Sequence, residues 1–248
     1  MTVLVTGGTK GIGLAIAKRL ASRHGRIVLA YHSDAAAAEA AIAEVSVAGG
    51  DATAIKADVG TLEGSAALIA GIVRQGHGLT HIVHSAAMIY PTTLLGADLT
   101  KFRQAVETNG LSLLYLVHAA QHLLSRGSGV VFITSMGARI PSPNYGALGV
   151  GKALAEAIVR YLVAELAPRG VRINGVAPGL VHTTSVASML GSEEAATAAV
   201  ERAARSNPSG RPSRDSDYAS LVEYLLSPEA EFIQGQVIAA TGGTGVIG

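Results

Sequence analysis

The sequence contains no cysteine and no tryptophan. Without thiols it builds no disulfide framework, no cysteine-ligated zinc site and no thiol nucleophile. Charge is scarce as well: 15% of the 248 residues are charged, and Lys+Arg 19 against Asp+Glu 18 leave a net charge of +1. That balance gives no electrostatic footprint for nucleic acid. With 49% hydrophobic residues, the composition is also the opposite of a disordered chain. Long apolar runs are missing too. The longest candidate, 111–124, is interrupted by Ser112, His118, Gln121 and His122, short of the roughly 18 continuous apolar residues of a membrane span. The first five residues lack the basic and apolar regions of a secretory signal. The expectation is a soluble, cytoplasmic protein with neither membrane nor nucleic acid as a partner.

What is present is alternation. Short apolar runs at 3–6, 27–31, 52–56, 81–84, 130–134, 172–176 and 236–239 read as strands buried on both faces. Between them, helical patterns cover 13–24, 34–47, 62–74, 99–124, 144–166 and 215–226. Such alternation predicts an α/β, single-domain doubly wound parallel sheet with helices on both faces, spanning 1–248. The segment 183–214 breaks the rhythm and is expected to form a substrate lid, with Met189 and Leu190 covering an apolar substrate.

The first strand runs into Thr6-Gly7-Gly8-Thr9-Lys10-Gly11-Ile12-Gly13, which opens a helix. A turn this tight needs residues with free φ, and close approach to a pyrophosphate leaves no room for a Cβ. The helix that follows offers its N–H groups to phosphate oxygens. The loop therefore predicts a dinucleotide site (Rossmann fold), with Gly7, Thr9, Lys10, Gly11, Ile12 and Gly13 around the phosphates.

The spacing of this loop resembles the Thr-Gly-x-x-x-Gly-x-Gly loop of the short-chain dehydrogenase/reductase family. Asp58-Val59, Asn109, the segment from Pro178 to Thr183, and Gly235 with Gly242-Gly243 extend the resemblance over essentially the whole chain. The resemblance implies that Asp58 and Val59 hold adenine. It places Ser85, Ala86 and Ala87 along the cofactor, and Pro178, Gly179, Val181 and Thr183 at the nicotinamide carboxamide. His32 and Ser33 close the second strand without the acidic side chain that NADH binders usually carry there, and Lys10 can reach a 2′-phosphate, so NADPH is expected over NADH.

The family's usual Tyr-x-x-x-Lys is absent, because the residue four before Lys152 is Leu148. Ser135 stands where the family serine would. Tyr145 precedes Lys152 by seven positions, and seven residues return to about the same helix face, offset by about −20°. This Tyr-x6-Lys spacing resembles that of the enoyl-acyl-carrier-protein reductases, most closely the third, NADPH-using bacterial type.

That resemblance implies hydride delivery to the β-carbon of a conjugated enoyl thioester or enone. Tyr145 would stabilise the enolate, Lys152 would orient the cofactor, Ser135 would be a second donor, and Asn109 would support the lysine. The substrate would arrive free or on a carrier protein or coenzyme A, and the chain would form a homotetramer or homodimer. A ketoreductase using Tyr145 or Ser135 and a catalytically silent nucleotide-binding member are the alternatives. His84-Ser85-Ala86-Ala87 departs from the family's Asn-Asn-Ala-Gly turn, and Thr241 replaces its acidic residue; His84 is expected to be buried, neutral and bonded to backbone. No metal site is expected: His118 and His122 lack a carboxylate partner, and Tyr115 and Tyr161 read as core or interface residues.

Overall fold

The computed structural model describes residues 1–245; positions 246–248 of the expected domain lie outside the described residues. Seven parallel strands form one sheet in the order β3-β2-β1-β4-β5-β6-β7. They are β1 (Thr2–Thr6), β2 (Arg26–Tyr31), β3 (Asp51–Lys56), β4 (His81–His84), β5 (Gly129–Ile133), β6 (Arg172–Pro178) and β7 (Val237–Ala240). All seven expected strands are present, with ends shifted by at most two residues and β4 not at all. The chain order reverses between β1 and β4, which opens a crevice at their carboxyl ends, the place where open α/β sheets bind ligands.

Strand parity distributes the core. Leu4, Val28, Ile82, Val130, Phe132 and Ile173 face one side of the sheet. There they meet α3 (Leu62–Arg74), α5 (Ser112–Ala120) and α6 (Gly146–Leu166). Val3, Val5, Ile27, Leu29, Val83, Val131 and Val176 face the other side. They pack on α1 (Gly11–His24), α2 (Ala35–Val47) and α9 (Asp215–Leu226). Adjacent residues of one strand thus serve opposite layers, which is why the runs read as continuously apolar. Asp34 caps α2 and Thr61 caps α3 through side-chain oxygens, fixing where these helices begin.

Two helices differ from expectation. The pattern over 99–124 is not one helix: α4 (Leu99–Val106) passes into a π-helical segment, Glu107–Leu111, before α5. The apolar periodicity runs across that segment, so the extra residue left no mark in the hydrophobic pattern. The helix expected from 144 starts at Gly146, because Asn144 is left-handed (φ 58) and Tyr145 is the N-cap. The segment 183–214 holds α7 (Thr184–Leu190) and α8 (Glu193–Ser206). Past α8, Asn207 and Ser209 bond the carbonyls of Thr241 and Gly242. Tyr161 is 81% exposed, so it is not a core residue. Among the described residues no helix is long and apolar enough to cross a membrane, and no group of His, Asp and Glu could hold a metal ion.

Candidate active site

The glycine loop joins β1 to α1 at the crevice. Gly7 (φ +62) and Gly11 (φ +49) adopt left-handed backbone, and a Cβ on Gly13 would lie 2.2 Å from the Gly7 carbonyl oxygen. A Cβ on Gly7 would meet the Ala86 Cα at 2.9 Å, so the loop lies directly against the turn after β4. Gly11 faces the methyl of Thr183, which caps α7. The glycines let the loop pack closely on itself, on the turn after β4 and on Thr183, and lead it into the N-terminus of α1, whose N–H groups suit a pyrophosphate. The residues present fit a dinucleotide.

Most of the cofactor residues expected from the sequence border this crevice. Thr9, Ser85, Ala86, Gly179, Val181 and Thr183 lie on carboxyl-end loops of β1, β4 and β6, with Ile12 in the first turn of α1 and Pro178 closing β6. Val59 is buried, while Asp58, His32 and Ser33 are exposed beyond β3 and β2. The His32 ring nitrogen stands 3.9 Å from the Asp58 carboxylate. Lys10 is not free, because its ammonium pairs with the Asp34 carboxylate. That pair holds Asp34 below the usual carboxylate range and spends its charge locally.

Three groups meet at the end of β5. The Tyr145 ring covers Gly137, where a Cβ would sit 2.3 Å from the ring. Ser135 accepts from the Gly137 N–H at 3.0 Å, which leaves its own hydrogen for the Tyr145 phenol, its side-chain partner. Burial raises the phenol above its usual pKa, and the serine opposes that rise. Lys152 is 5% exposed; its ammonium donates to the Ile133 carbonyl at 2.7 Å and sits 4.5 Å from the centre of the Phe132 ring. Burial lowers Lys152 to about 7. Leu148, at the position of the family's usual tyrosine, is buried at 5%.

Asn109 lies in the π-helical segment, fully buried. Its amide exchanges two bonds of 2.9 Å with the backbone of Met88, so it pins the loop after β4. Gly151 lets it approach α6: a Cβ there would be 2.7 Å from that of Asn109. The sequence placed this residue near the lysine but not its hold on Met88, which has no local signal.

His84 corrects the sequence reading in one respect. It is buried and neutral, lowered to about 3 by burial, but its partners are side chains rather than backbone. Ser112 donates to the Thr108 carbonyl, so it accepts from His84 Nε2. Nδ1 then accepts from the Thr6 hydroxyl at 2.6 Å, and Thr6 accepts from the N–H groups of Ser85 and Ala86. One fixed tautomer therefore ties the glycine loop to the π-helical segment. Thr241 donates to the Thr244 carbonyl and leaves no negative charge at that turn.

The chain is similar to known proteins over nearly its full length. Residues 7–245 match the family model described as Enoyl-(Acyl carrier protein) reductase. The chain is 30% identical over 244 residues to 1-cyclohexenylcarbonyl-CoA reductase of Streptomyces collinus, covering 98% of this chain and 86% of that one. It is 28% identical over 244 residues to the 3-oxoacyl-acyl-carrier-protein reductase FabG of Staphylococcus aureus, covering 98% and 97%. A crystal structure of a short chain dehydrogenase from Burkholderia cenocepacia J2315 in complex with NADP superposes with a TM-score of 0.86 at 28% identity, covering 97% of this chain and 96% of the other. With the glycine cradle, the seven-stranded order and the Ser135–Tyr145–Lys152 cluster in place, the chain belongs to the short-chain dehydrogenase/reductase family and is an NAD(P)H-dependent oxidoreductase.

Proposed function

We propose that the protein is an NADPH-dependent reductase of conjugated carbon–carbon double bonds in enoyl thioesters or enones. The observation that carries this reading is the phenol. It comes from Tyr145, seven positions before Lys152, and is held by Ser135, while the position four before the lysine is a buried leucine. The family model and the Streptomyces collinus relative, a reductase whose name specifies a cyclohexenylcarbonyl thioester, support the same direction. The absence of a free carboxylate at the end of β2, where Asp34 is neutralised by Lys10, supports NADPH over NADH. The NADP complex of the Burkholderia neighbour supports it as well.

A bound nicotinamide supplies hydride to the β-carbon. Negative charge would then develop on the carbonyl oxygen, three bonds away from the β-carbon. The donor for that charge has to stand further from the hydride than in ketone reduction, where the oxygen is on the carbon attacked. Tyr145, at the head of α6 rather than inside it, meets that need and hydrogen-bonds the enolate oxygen. Ser135 would donate to the phenol oxygen and steady Tyr145 as it bonds the enolate oxygen; the enolate would then take a proton from solvent at the α-carbon, which restores the carbonyl. Lys152, whose ammonium rests on the Ile133 carbonyl, would hold the ribose hydroxyls of the bound cofactor.

Three substrates test this: a crotonyl thioester, a cyclic enone and a β-ketoacyl thioester, followed by NADPH oxidation. Consumption of the first two is expected, with Tyr145→Phe losing at least ~10²-fold in kcat. Turnover of the ketone alone would replace this reading with the ketoreductase one, which the Staphylococcus aureus relative favours. Tight NADPH binding without turnover of any would point to the silent member.

A further inference from the structure

One charged side chain beside the site has both oxygens committed and no part in the chemistry above. Glu156 is 4% exposed and lies one helical turn beyond Lys152, on the same face of α6. One carboxylate oxygen accepts from the Thr134 hydroxyl at 2.8 Å, and the other accepts from Arg139 Nε at 3.0 Å. Those partners bracket the residues that touch the phenol. Thr134 precedes Ser135, and Arg139 follows the short turn Met136–Ala138, which contains Gly137.

The hydrogen bonds inside this turn are local. Gly137 N–H donates to Ser135 Oγ, Ala138 N–H to the Ser135 carbonyl, and the N–H groups of Arg139 and Ile140 to the Met136 carbonyl. None of them ties the turn to α6. The lysine holds Ile133 one residue earlier, so the Glu156 carboxylate supplies the next two attachments, at Thr134 and Arg139. A carboxylate is a costly group to bury, and apolar packing at this position would provide no directional hold on a polar turn.

We propose that Glu156 is a positioning residue for the reduction: it clamps 134–139 against α6 and thereby keeps the Ser135 hydroxyl at the Tyr145 phenol. It acts through Thr134 and Arg139 and touches no reacting atom. The proposal rests on Tyr145 as the donor, as in the enone reading and in a ketone reading that uses Tyr145 rather than Ser135.

Glu156→Gln breaks one arm of the clamp. The amide oxygen still accepts from Thr134, but the amide nitrogen faces Arg139 donor to donor. Arg139→Ala removes the same arm from the other side, and its side chain is 39% exposed, so the change is tolerated by the fold. With whichever substrate the unmodified protein reduces, kcat should fall at least ~10-fold in either variant while NADPH affinity stays within about twofold. The double variant should be no worse than Glu156→Gln alone, because the two residues act as one unit. Hydrogen exchange of the amides at 137–140 should accelerate at least ~10-fold, with β5 and the rest of α6 still protected. This readout needs no substrate.

Unchanged kcat with unchanged exchange would overturn the clamp. So would a parallel loss of turnover and NADPH affinity, which would mean general loosening of α6, and so would additive effects in the double variant. If the unmodified protein reduces only the ketone, the enone reading fails and the clamp is still measured. If Glu156→Gln does not fold, Arg139→Ala carries the test, since it leaves the Glu156–Thr134 bond in place.

Discussion

Gly137→Ala probes the site with a single methyl group. The new Cβ would stand 2.3 Å from one ring carbon of Tyr145 and 2.6 Å from the next. Ordinary carbon contacts begin near 3.4 Å. The ring must therefore retreat by about 1 Å, because the other side of the contact is backbone anchored by the Ser135 bond. A shift of this size at a reacting group costs about 10²-fold in rate, or about 2.7 kcal/mol of barrier. Folding should change little, since the ring is only a side chain and Gly137 is not in left-handed backbone. The assay is kcat for the preferred substrate beside NADPH affinity and Tm. The expected result is a ~10²-fold loss of kcat with affinity within about twofold and Tm within a few degrees. Turnover close to that of the unmodified protein would show that the ring's position against Gly137 has no bearing on the chemistry. Loss of NADPH binding would show that the methyl acts on the cofactor rather than on the phenol.

Two further outcomes follow from buried ionisable groups. Burial depresses Lys152 from 10.5 in the unfolded chain to about 7, so between those values the unfolded chain binds more protons and stability rises with pH. Lys152→Met should raise the Tm of the cofactor-free protein below pH 7 and flatten that rise, while abolishing tight NADPH binding; an unchanged pH profile in thermal melts would contradict the assignment. His84, depressed from 6.5 to about 3, contributes stability that is lost as pH falls between those values. His84→Ala should remove that acid sensitivity and cost roughly 1–3 kcal/mol for each hydroxyl left without its partner, measured by denaturant titration at neutral pH. A cost near zero would mean that Thr6 and Ser112 find other partners.

The strands were legible because burial on both faces leaves a continuous apolar signature, and the glycine cradle because only glycine fits its left-handed and close-packed positions. Tyr145 and Lys152 were found through a spacing. The left-handed Asn144 ends the preceding loop and makes Tyr145 the cap of α6. Nothing in the text near position 144 announces this; Asn is simply a residue that tolerates the conformation. The link between Thr92 and Tyr145, a bridge across 53 positions that includes the Thr92 N–H to Asn144 carbonyl bond, could not be read locally either. The same holds for Glu156, a second buried charge on the face of α6 that carries Lys152, and for His84, whose partners lie 78 and 28 residues away.

The π-helical stretch Glu107–Leu111 sets stability and function at odds. It contains one residue more than a regular helix would use to span the same distance, with poorer internal hydrogen bonding. Deleting a single residue there would let α4 and α5 fuse into one straight and intrinsically sounder helix. The flanking turns would keep their orientation, but the wide turn that presents Asn109 would close. Asn109 would leave Met88, and the loop beside the cofactor would lose its anchor. A shorter chain at this point would therefore be easier to fold and unable to work.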